Sequence, residues 1–235
     1  MELKKNTPEI ITFISDMDVG LANAIRRNVD EIPILAIEDV DIYKNDSALY
    51  DEIIAQRLGL IVLKNQKLKK NQIIEMKLKS KGNGEKTKVL AEGLGDNVIH
   101  PKTPIILLEE GQELEIVAKA KMGKGADHAK FSPGVIFYKH LPKIKISEEG
   151  EKHMELAEIY PDTFEKFGEK LKVKDASVGD LDLEDMERFP GVDVRFDNNL
   201  VLMIEAWGQI GAKEIFPEAC KALKANLSEV SKALK

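Results

Sequence analysis

The chain has 235 residues, of which 43% are hydrophobic and 32% are charged. This length suffices for one large domain or two modest ones, and the balance is typical of a folded protein rather than a disordered tail. The formal net charge of -6 argues against a protein whose main affinity is for a phosphate backbone, since such binding requires a cationic surface.

The N-terminal segment predicts a strand followed by a helix. Residues 9–15, EIITFIS, are rich in β-branched residues. A helix is expected from about residue 19 to residue 31. Pro33 then prevents the helix from continuing. Arg26 and Arg27 lie near its end, where cations interact favourably with the helix dipole. Only one of the two arginines can share the apolar face, so the other is predicted to point to solvent or to a partner.

The central segment predicts mostly strands. Residues 32–43 form a β-rich stretch, and residues 51–59 predict a short helix that ends at a glycine. Alternation of apolar and charged residues over 74–79, and again over 113–121, predicts two half-buried strands. The KGNGE turn after the first of these predicts a hairpin with a strand at residues 87–92.

The C-terminal third predicts an insertion between two β segments. A strand, KIKI, follows Pro142, and a charged, weakly patterned stretch from about residue 148 to residue 190 then indicates an insertion. Residues 192–196 and 200–207 flank the turn-forming sequence DNN, which predicts a second hairpin.

The chain ends in an amphipathic helix from about residue 211. Its apolar residues recur at spacings of three and four on one face, while the other faces are mainly lysine and glutamate. This stripe consists of Ala219, Leu223, Leu227, Val230 and Leu234. Such a stripe can cover the core of its own domain, which is the common case, or bind another subunit, and periodicity does not separate the two.

The stretch MGKGADHAKFSPG, residues 122–134, is the strongest candidate for chemistry. Lys124, His128 and Lys130 could together meet an anion, so a nucleotide- or anion-binding enzyme is one alternative. The stretch matches neither GxxxxGK[ST] nor GxGxxG, and no nucleophile or metal-holding carboxylate accompanies it. His128 is therefore expected to form structural hydrogen bonds. A DNA-binding module is a further alternative, limited by the acidic charge to weak contacts through local lysines.

Neither a metal site nor a membrane segment is expected. Cys220 is the single cysteine, and one thiol cannot form an internal disulfide or a zinc or iron-sulfur cluster. The four histidines lack metal-ligand spacing, and the acidic run GDLDLEDMER lacks the calcium-loop pattern. No apolar run approaches the roughly 20 residues that span a bilayer, and the N-terminus has no signal-peptide core. A cytoplasmic protein without a cofactor is expected.

Four segments occur in the order and approximate spacing of one family: NAIRRNVDEIPILAIEDV, DEIIAQRLGLIVL, GKGADHAKFSPG and VRFDNNLVLMIEAWG. Together they resemble the D-type subunit family of archaeal RNA polymerases, whose relatives are the bacterial alpha subunit N-terminal domain and the eukaryotic third-largest polymerase subunit. The resemblance covers essentially the whole chain. Four motifs in order are highly specific, and no enzyme family accounts for all of them.

The resemblance implies an α+β fold. It implies a discontinuous dimerisation domain of antiparallel strands plus two helices, a β-rich insert domain and a small degenerate ferredoxin-like insertion. The expected boundaries are 1–40, 139–147 and 192–235 for the dimerisation domain, 41–138 for the insert domain and 148–191 for the insertion.

The resemblance also implies a non-catalytic assembly scaffold of a DNA-dependent RNA polymerase. The dimerisation domain would pair with subunit L, and the heterodimer would join the small subunits N and P. Together they would form the platform on which the two large catalytic subunits assemble for transcription. DNA would be met only indirectly, through the complex, and no catalytic residue is expected in this chain.

Residues at partner interfaces follow from the matching motif positions. Asn23, Arg26 and Arg27 match the N-A-x-R-R helix, which faces a large catalytic subunit in the relatives. Glu52 and Arg57 match the helix-and-turn motif, where stabilising the insert domain's own fold is an equally open interpretation. The loop 122–134 is expected to contact neighbouring subunits, with its glycines serving turn geometry. The remaining interface residues belong to this loop and to the terminal helix: Lys124, His128, Lys130, Phe131, Leu223, Leu227, Val230 and Leu234.

The chain departs from the family pattern in two places. Phe131 stands where tryptophan is usual and keeps an aromatic anchor. Many archaeal members carry iron-sulfur cysteines in the ferredoxin-like insertion, whereas here that stretch has no cysteine, so cluster binding is not expected. The zinc-binding cysteines of the eukaryotic relatives are missing as well. We expect a reduced insertion packed around residues that include Phe164, Leu171, Val173 and Phe189.

Overall fold

The structure, a computed structural model, describes residues 2–66, 68–69, 72–84 and 86–234. Its strands are β1 (Glu2–Asn6), β2 (Ile10–Ser15), β3 (Ile34–Asn45), β4 (Ile74–Lys81), β5 (Thr87–Leu90), β6 (Pro104–Leu108), β7 (Glu113–Gly123), β8 (Gly134–Ile146), β9 (Phe164–Phe167), β10 (Lys170–Val173) and β11 (Val192–Ala206). Its α-helices are α1 (Val19–Arg27), α2 (Asp51–Gly59), α3 (Leu156–Ile159), α4 (Leu183–Met186) and α5 (Ala212–Ala233). The predicted α+β class is confirmed.

The chain divides into two compact units. Unit A contains the residues up to Lys5 together with Thr12–Ala22 and Phe137–Met203. Unit B contains Asn6–Ile11, Asn23–Ile136 and the residues from Ile204 onwards. The predicted domain boundaries, which group the segments differently, stay a prediction.

Strand β7 is the centre of the main sheet of unit B. It pairs antiparallel with β3 on one side and with β4 on the other. Ile116 thereby lies opposite Ile42 on β3 and Leu78 on β4. The residues of β7 that the alternation assigned to the core are all buried: Leu114, Ile116, Ala118 and Ala120.

Helix α2 closes one part of this core. Asp51 and Glu52 lie in its first turn and Arg57 in its last, an order that suits the helix dipole. Ile54 and Leu58 are fully buried, and they join a cluster that includes residues of β3, β4, β6 and β7. The predicted helix ending at Gly59 is confirmed.

The hairpin predicted between residues 74–79 and 87–92 is wrong. Strand β4 pairs with β7, whereas β5 pairs antiparallel with β6 in a separate two-stranded sheet. The reason is apolar pairing: Met76 and Leu78 lie opposite Ala118 and Ile116, and all four are buried. A strand of four residues such as β5 offers less apolar surface to pair with than β7 does.

The second predicted hairpin, at DNN, is also wrong. β11 runs unbroken through residues 197–199, in a sheet of order β1-β2-β11-β8. Asp197 accounts for this: its carboxylate pairs with Lys143 at 2.9 Å, and its carbonyl oxygen accepts a hydrogen bond from His140 Nδ1 at 3.1 Å. Because both partners lie on β8, the turn-forming residues stay bonded to the neighbouring strand.

The predicted insertion has an apolar core of its own. Phe164 and Leu171 are each 1% exposed, and Phe189 packs against the same cluster. The antiparallel hairpin of β9 and β10, which turns at Gly168 with φ +63°, brings the first two residues together. The prediction that Val173 packs in this core is wrong, since 36% of this residue is exposed.

Leu58→Ala should lower the free energy of unfolding by about 2–5 kcal/mol, because it leaves a cavity in the core of unit B. Urea denaturation at sub-micromolar protein concentration, followed by the fluorescence of Trp207, measures the change. Leu60→Ala is the matched control, since Leu60 is 64% exposed, and it should change stability by no more than about 0.5 kcal/mol. Equal losses in the two variants would contradict the assigned core.

Candidate partner-binding surfaces

The loop at residues 122–134 is tied to the segment that precedes and begins β3. Lys124 Nζ lies 2.8 Å from Glu31 Oε2. Asp30 holds the loop twice: its carbonyl oxygen accepts from Ala126 N at 3.0 Å, and its carboxylate accepts from Ser132 Oγ at 3.0 Å. The loop is therefore braced along its length by hydrogen bonds and an ion pair.

The loop's glycines allow close approach rather than a special backbone conformation. A Cβ on Gly123 would lie 2.6 Å from the ring of Phe131, and one on Gly125 would lie 2.5 Å from Asp30 Oδ1. Neither glycine is among those with positive φ. Gly125 nevertheless lies in a turn, as expected, which Asp127 N closes by donating to the carbonyl oxygen of Lys124 at 2.9 Å. The room that Gly123 leaves explains why Phe131 is only 3% exposed.

The loop is also held by two ion pairs that share one acidic residue. Glu38 on β3 forms ion pairs with Lys121, at 3.0 Å, and with Lys130. The Lys130 ammonium, followed by that of Lys121, holds the pKa of the Glu38 carboxyl below its usual range against the opposing effect of burial. Only 13% of the Lys130 side chain is exposed. Lys130 is therefore committed to the chain's own structure.

The structure does not assemble the anion site considered for this loop. Lys124 and Lys130 are each paired with a carboxylate. His128 Nδ1 accepts a hydrogen bond from Lys130 N at 3.2 Å, which caps the short 3-10 helix Ala129–Phe131. His128 thus has the expected structural role. Of the four predicted interface residues in the loop, it is the one whose side chain is exposed and outside an ion pair.

The two arginines of α1 are both exposed, which agrees with the prediction that they cannot both share the apolar face. The buried face is made by Ala22 and Ile25. Asn23 Oδ1 accepts from Arg26 Nε at 3.2 Å and from Nη2 at 3.0 Å. Within the described ranges neither Arg26 nor Arg27 pairs with a carboxylate, so their charge is available to a partner.

The two predicted interface residues on helix α2 differ in their contacts. Arg57 Nη1 donates to the carbonyl oxygen of Ile105 on β6 at 2.7 Å, which supports the interpretation that this residue stabilises its own fold. Glu52 is exposed, and its carboxylate has no ion pair in the part of the chain that the structure describes. The nearby Ile53 and Leu60 are 39% and 64% exposed.

The C-terminal helix α5 is buried at one end and exposed at the other. Ala212, Ile215 and Ala219 are fully buried, and Asn226 Nδ2 donates to Asn28 Oδ1 at 2.9 Å. The apolar stripe continues beyond these contacts. Leu223 is half-buried, whereas the exposed fractions rise to 61% at Leu227, 57% at Val230 and 83% at Leu234.

Comparison with known proteins identifies the chain's relatives. A family model described as the RNA polymerase Rpb3/RpoA insert domain matches residues 25–137. The DNA-directed RNA polymerase subunit Rpo3 of Thermococcus kodakarensis is 33% identical over 238 residues, which cover 94% of this chain and 92% of the relative. The chain belongs to the archaeal Rpo3 family. Rpo3 of Archaeoglobus fulgidus is 30% identical over 253 residues, which cover 99% of this chain and 96% of the relative.

Membership of the Rpo3 family makes the chain a subunit of a DNA-directed RNA polymerase, and the resemblance that the four motifs carried is confirmed. The chain spans nearly the full length of these relatives. Across the described residues, no group of three or more His, Cys, Asp or Glu side chains is placed to hold a metal ion. None of the helices in those ranges combines the length and apolar character needed to cross a membrane.

Sequence reasoning missed the acids that brace the loop. Glu31 and Lys124 are 93 positions apart in the chain, and no local pattern connects them. The only available signal was the excess of acids between residues 30 and 41 opposite the lysines of residues 119–130.

Glu38→Gln should lower the melting temperature at pH 7 by roughly 2–4 °C, which corresponds to about 1 kcal/mol for a chain of this size. Because the folded-state pKa of Glu38 is lowered, its ion pairs stabilise the fold above the unfolded value of about 4.3. That contribution is lost as the pH falls through the folded-state pKa.

The measurement is a series of thermal melts from pH 7 to pH 3. The difference in melting temperature between the wild type and Glu38→Gln should become smaller below about pH 4.3. Glu92→Gln, at an exposed carboxylate without an ion pair in the described chain, serves as control and should match the wild type throughout. A difference for Glu38→Gln that stays constant to pH 3 would show that the ion pairs are not its cause.

Proposed function

We propose that this Rpo3-family chain is a non-catalytic assembly scaffold that forms a heterodimer with subunit L. The observation that carries the proposal is the apolar stripe on the second half of α5, where Leu227, Val230 and Leu234 are all more than half exposed. Three large apolar side chains in a row on one helix face are unusual for a surface that stays in water. A partner helix or sheet would remove these side chains from water.

The geometry of α5 suits such a contact. The helix of 22 residues is about 33 Å long, and its first turns are fixed in unit B by Ala212, Ile215 and Ala219. The stripe is therefore presented on a rigid support. Lys224 and Glu229 flank it and provide a polar rim, the arrangement of apolar centre and charged edge found in protein interfaces.

A second surface is proposed to meet a large catalytic subunit. It consists of Asn23, Arg26 and Arg27 on α1, where the guanidinium groups have no internal carboxylate among the described residues. Arginine is suited to this contact because its planar fork can bind carboxylates and carbonyl oxygens of a partner in two places at once. The Asn23 side chain holds Arg26 in place through two hydrogen bonds.

The small subunits N and P are proposed to complete the platform. Glu52 on α2 is a candidate contact for a partner subunit, and Ile53 on the same helix is also exposed. The loop 122–134 contributes mainly rigidity to this arrangement, since Lys124, Lys130 and Phe131 are occupied within the chain. Its exposed side chain, His128, stays a candidate contact. DNA is met only through the assembled complex.

Co-expression with subunit L, followed by size-exclusion chromatography with mass detection, tests the heterodimer. The wild type should give a one-to-one complex, and Leu227→Asp/Val230→Asp should abolish it, because two carboxylates would have to be desolvated at the interface. The thermal melt of the variant alone should stay close to that of the wild type, since both positions are exposed.

The matched control is Ala225→Asp/Ser228→Asp, which adds the same charge at exposed positions on the opposite side of α5. It should leave the complex intact. A soluble wild-type monomer that does not bind subunit L, or equal loss of binding in the two double variants, would overturn the assignment of this face.

Arg26→Glu/Arg27→Glu should separate the two surfaces. We expect this variant to bind subunit L as the wild type does and to fail in the later step, when large catalytic subunits are added to the heterodimer. Reconstitution monitored by native mass spectrometry measures both steps. Lys102→Glu/Lys88→Glu, at exposed positions elsewhere in unit B, controls for the change in net charge, and an equal defect in this control would argue against a specific role of the arginines.

A further inference from the structure

Unit B contains an open apolar cavity of about 780 Å³ outside the surfaces discussed above. Its wall includes Ile10, Val62 and Ile99, and its rim carries Trp207, the single tryptophan of the chain. Trp207 is 46% exposed. A cavity of this size is in the range that accommodates a small ligand or several side chains of a peptide.

Two acidic residues, Glu9 and Glu205, also belong to the lining of this cavity. Neither forms an ion pair within the described residues, although many lysines of unit B are paired with carboxylates. His100 is also part of the lining. The lining of the cavity thus combines apolar residues with two acids that have no ion pair in the described part of the chain.

The backbone around the cavity is held by hydrogen bonds, so the site exists before any partner arrives. Glu9 O accepts from Ala206 N at 2.8 Å, and Pro133 O accepts from Trp207 N at 2.9 Å. Gly208 has φ +112°, a conformation that L side chains rarely adopt. Within the described chain the indole N–H of Trp207 has no acceptor, which leaves both its donor and its ring face for a partner.

We propose that this cavity docks an extended segment of a neighbouring polymerase subunit that carries a lysine or arginine with apolar residues beside it. The proposal rests on the assignment of the chain as an assembly subunit. A cation placed over the Trp207 ring gains a cation–π interaction, and the carboxylates of Glu9 and Glu205 neutralise it. Apolar surroundings strengthen both effects because they lower the local dielectric constant.

Charge complementarity selects this occupant. An acidic segment would bring like charges together at Glu9 and Glu205, which costs free energy. A purely apolar segment would cover the carboxylates without giving them partners, and burying unpaired charges is unfavourable. A basic segment with aliphatic neighbours would cover the apolar wall and also give the two acids a cation to pair with.

The single tryptophan makes the docking directly observable. The chain is labelled with 5-fluorotryptophan, purified as its complex with unlabelled subunit L, and titrated with subunits N and P and then with the large subunits. One ¹⁹F resonance reports on Trp207. We expect one of these additions to shift that resonance, with binding that weakens as salt is raised.

Glu9→Gln/Glu205→Gln should weaken this binding by about tenfold while leaving the complex with subunit L intact. Glu92→Gln/Glu110→Gln, which removes the same charge at exposed sites elsewhere in unit B, should bind as the wild type does. Persistence of the complex with subunit L separates failure here from failure of the proposed function.

Three results would overturn the proposal. The ¹⁹F resonance could stay unchanged through complete assembly, the two double variants could bind equally, or spermidine alone could shift the resonance when no subunit does. The last result would assign the cavity to a free small cation instead of a polypeptide.

Discussion

The antiparallel register of β3 against β7 is the constraint on which unit B depends. Ile34, at the start of β3, lies opposite Gly123, at the end of β7. The loop that follows β7 must therefore begin beside the segment that precedes β3, which brings Asp30 and Glu31 within reach of the loop. A slip by one residue would turn the buried face of β7 to solvent. The register that fills the core thus also positions the braced loop.

The ion pairs separate the parts of the surface that stabilise the chain from those that are free to bind. Lys124 and Lys130 are neutralised within the chain. The more exposed pair, that of Lys124, contributes little free energy but holds side chains in place, whereas only 13% of the Lys130 side chain is exposed. Arg26, Arg27 and Glu205 carry charges without such neutralisation in the described residues. The most conspicuous motif of the sequence is consequently braced within the chain, while these charges without an ion pair lie on other elements.

The strands were predictable where the signal is local. The alternation in β4 and β7 reports on burial of every second residue, and the structure confirms it for both. Which strand pairs with which is not a local property: β4 pairs with β7 instead of the nearer β5 because Ala118 and Ile116 complete its apolar face. Likewise DNN is a turn signal by composition, but the contacts of Asp197 with Lys143 and His140 keep it in a strand.

The sequence alone determined the α+β class, the polymerase family and the positions of α1, α2 and α5, because these follow from periodicity and from ordered motifs. It also excluded a thiolate cluster, since one cysteine cannot form one. Only the tertiary structure decided the roles of the loop lysines and the exposure of the α5 stripe. It alone brought Glu9 and Glu205 to one cavity with Trp207. The reason is physical: pairing of charges and exposure of apolar faces depend on residues distant in the chain, which no local pattern encodes.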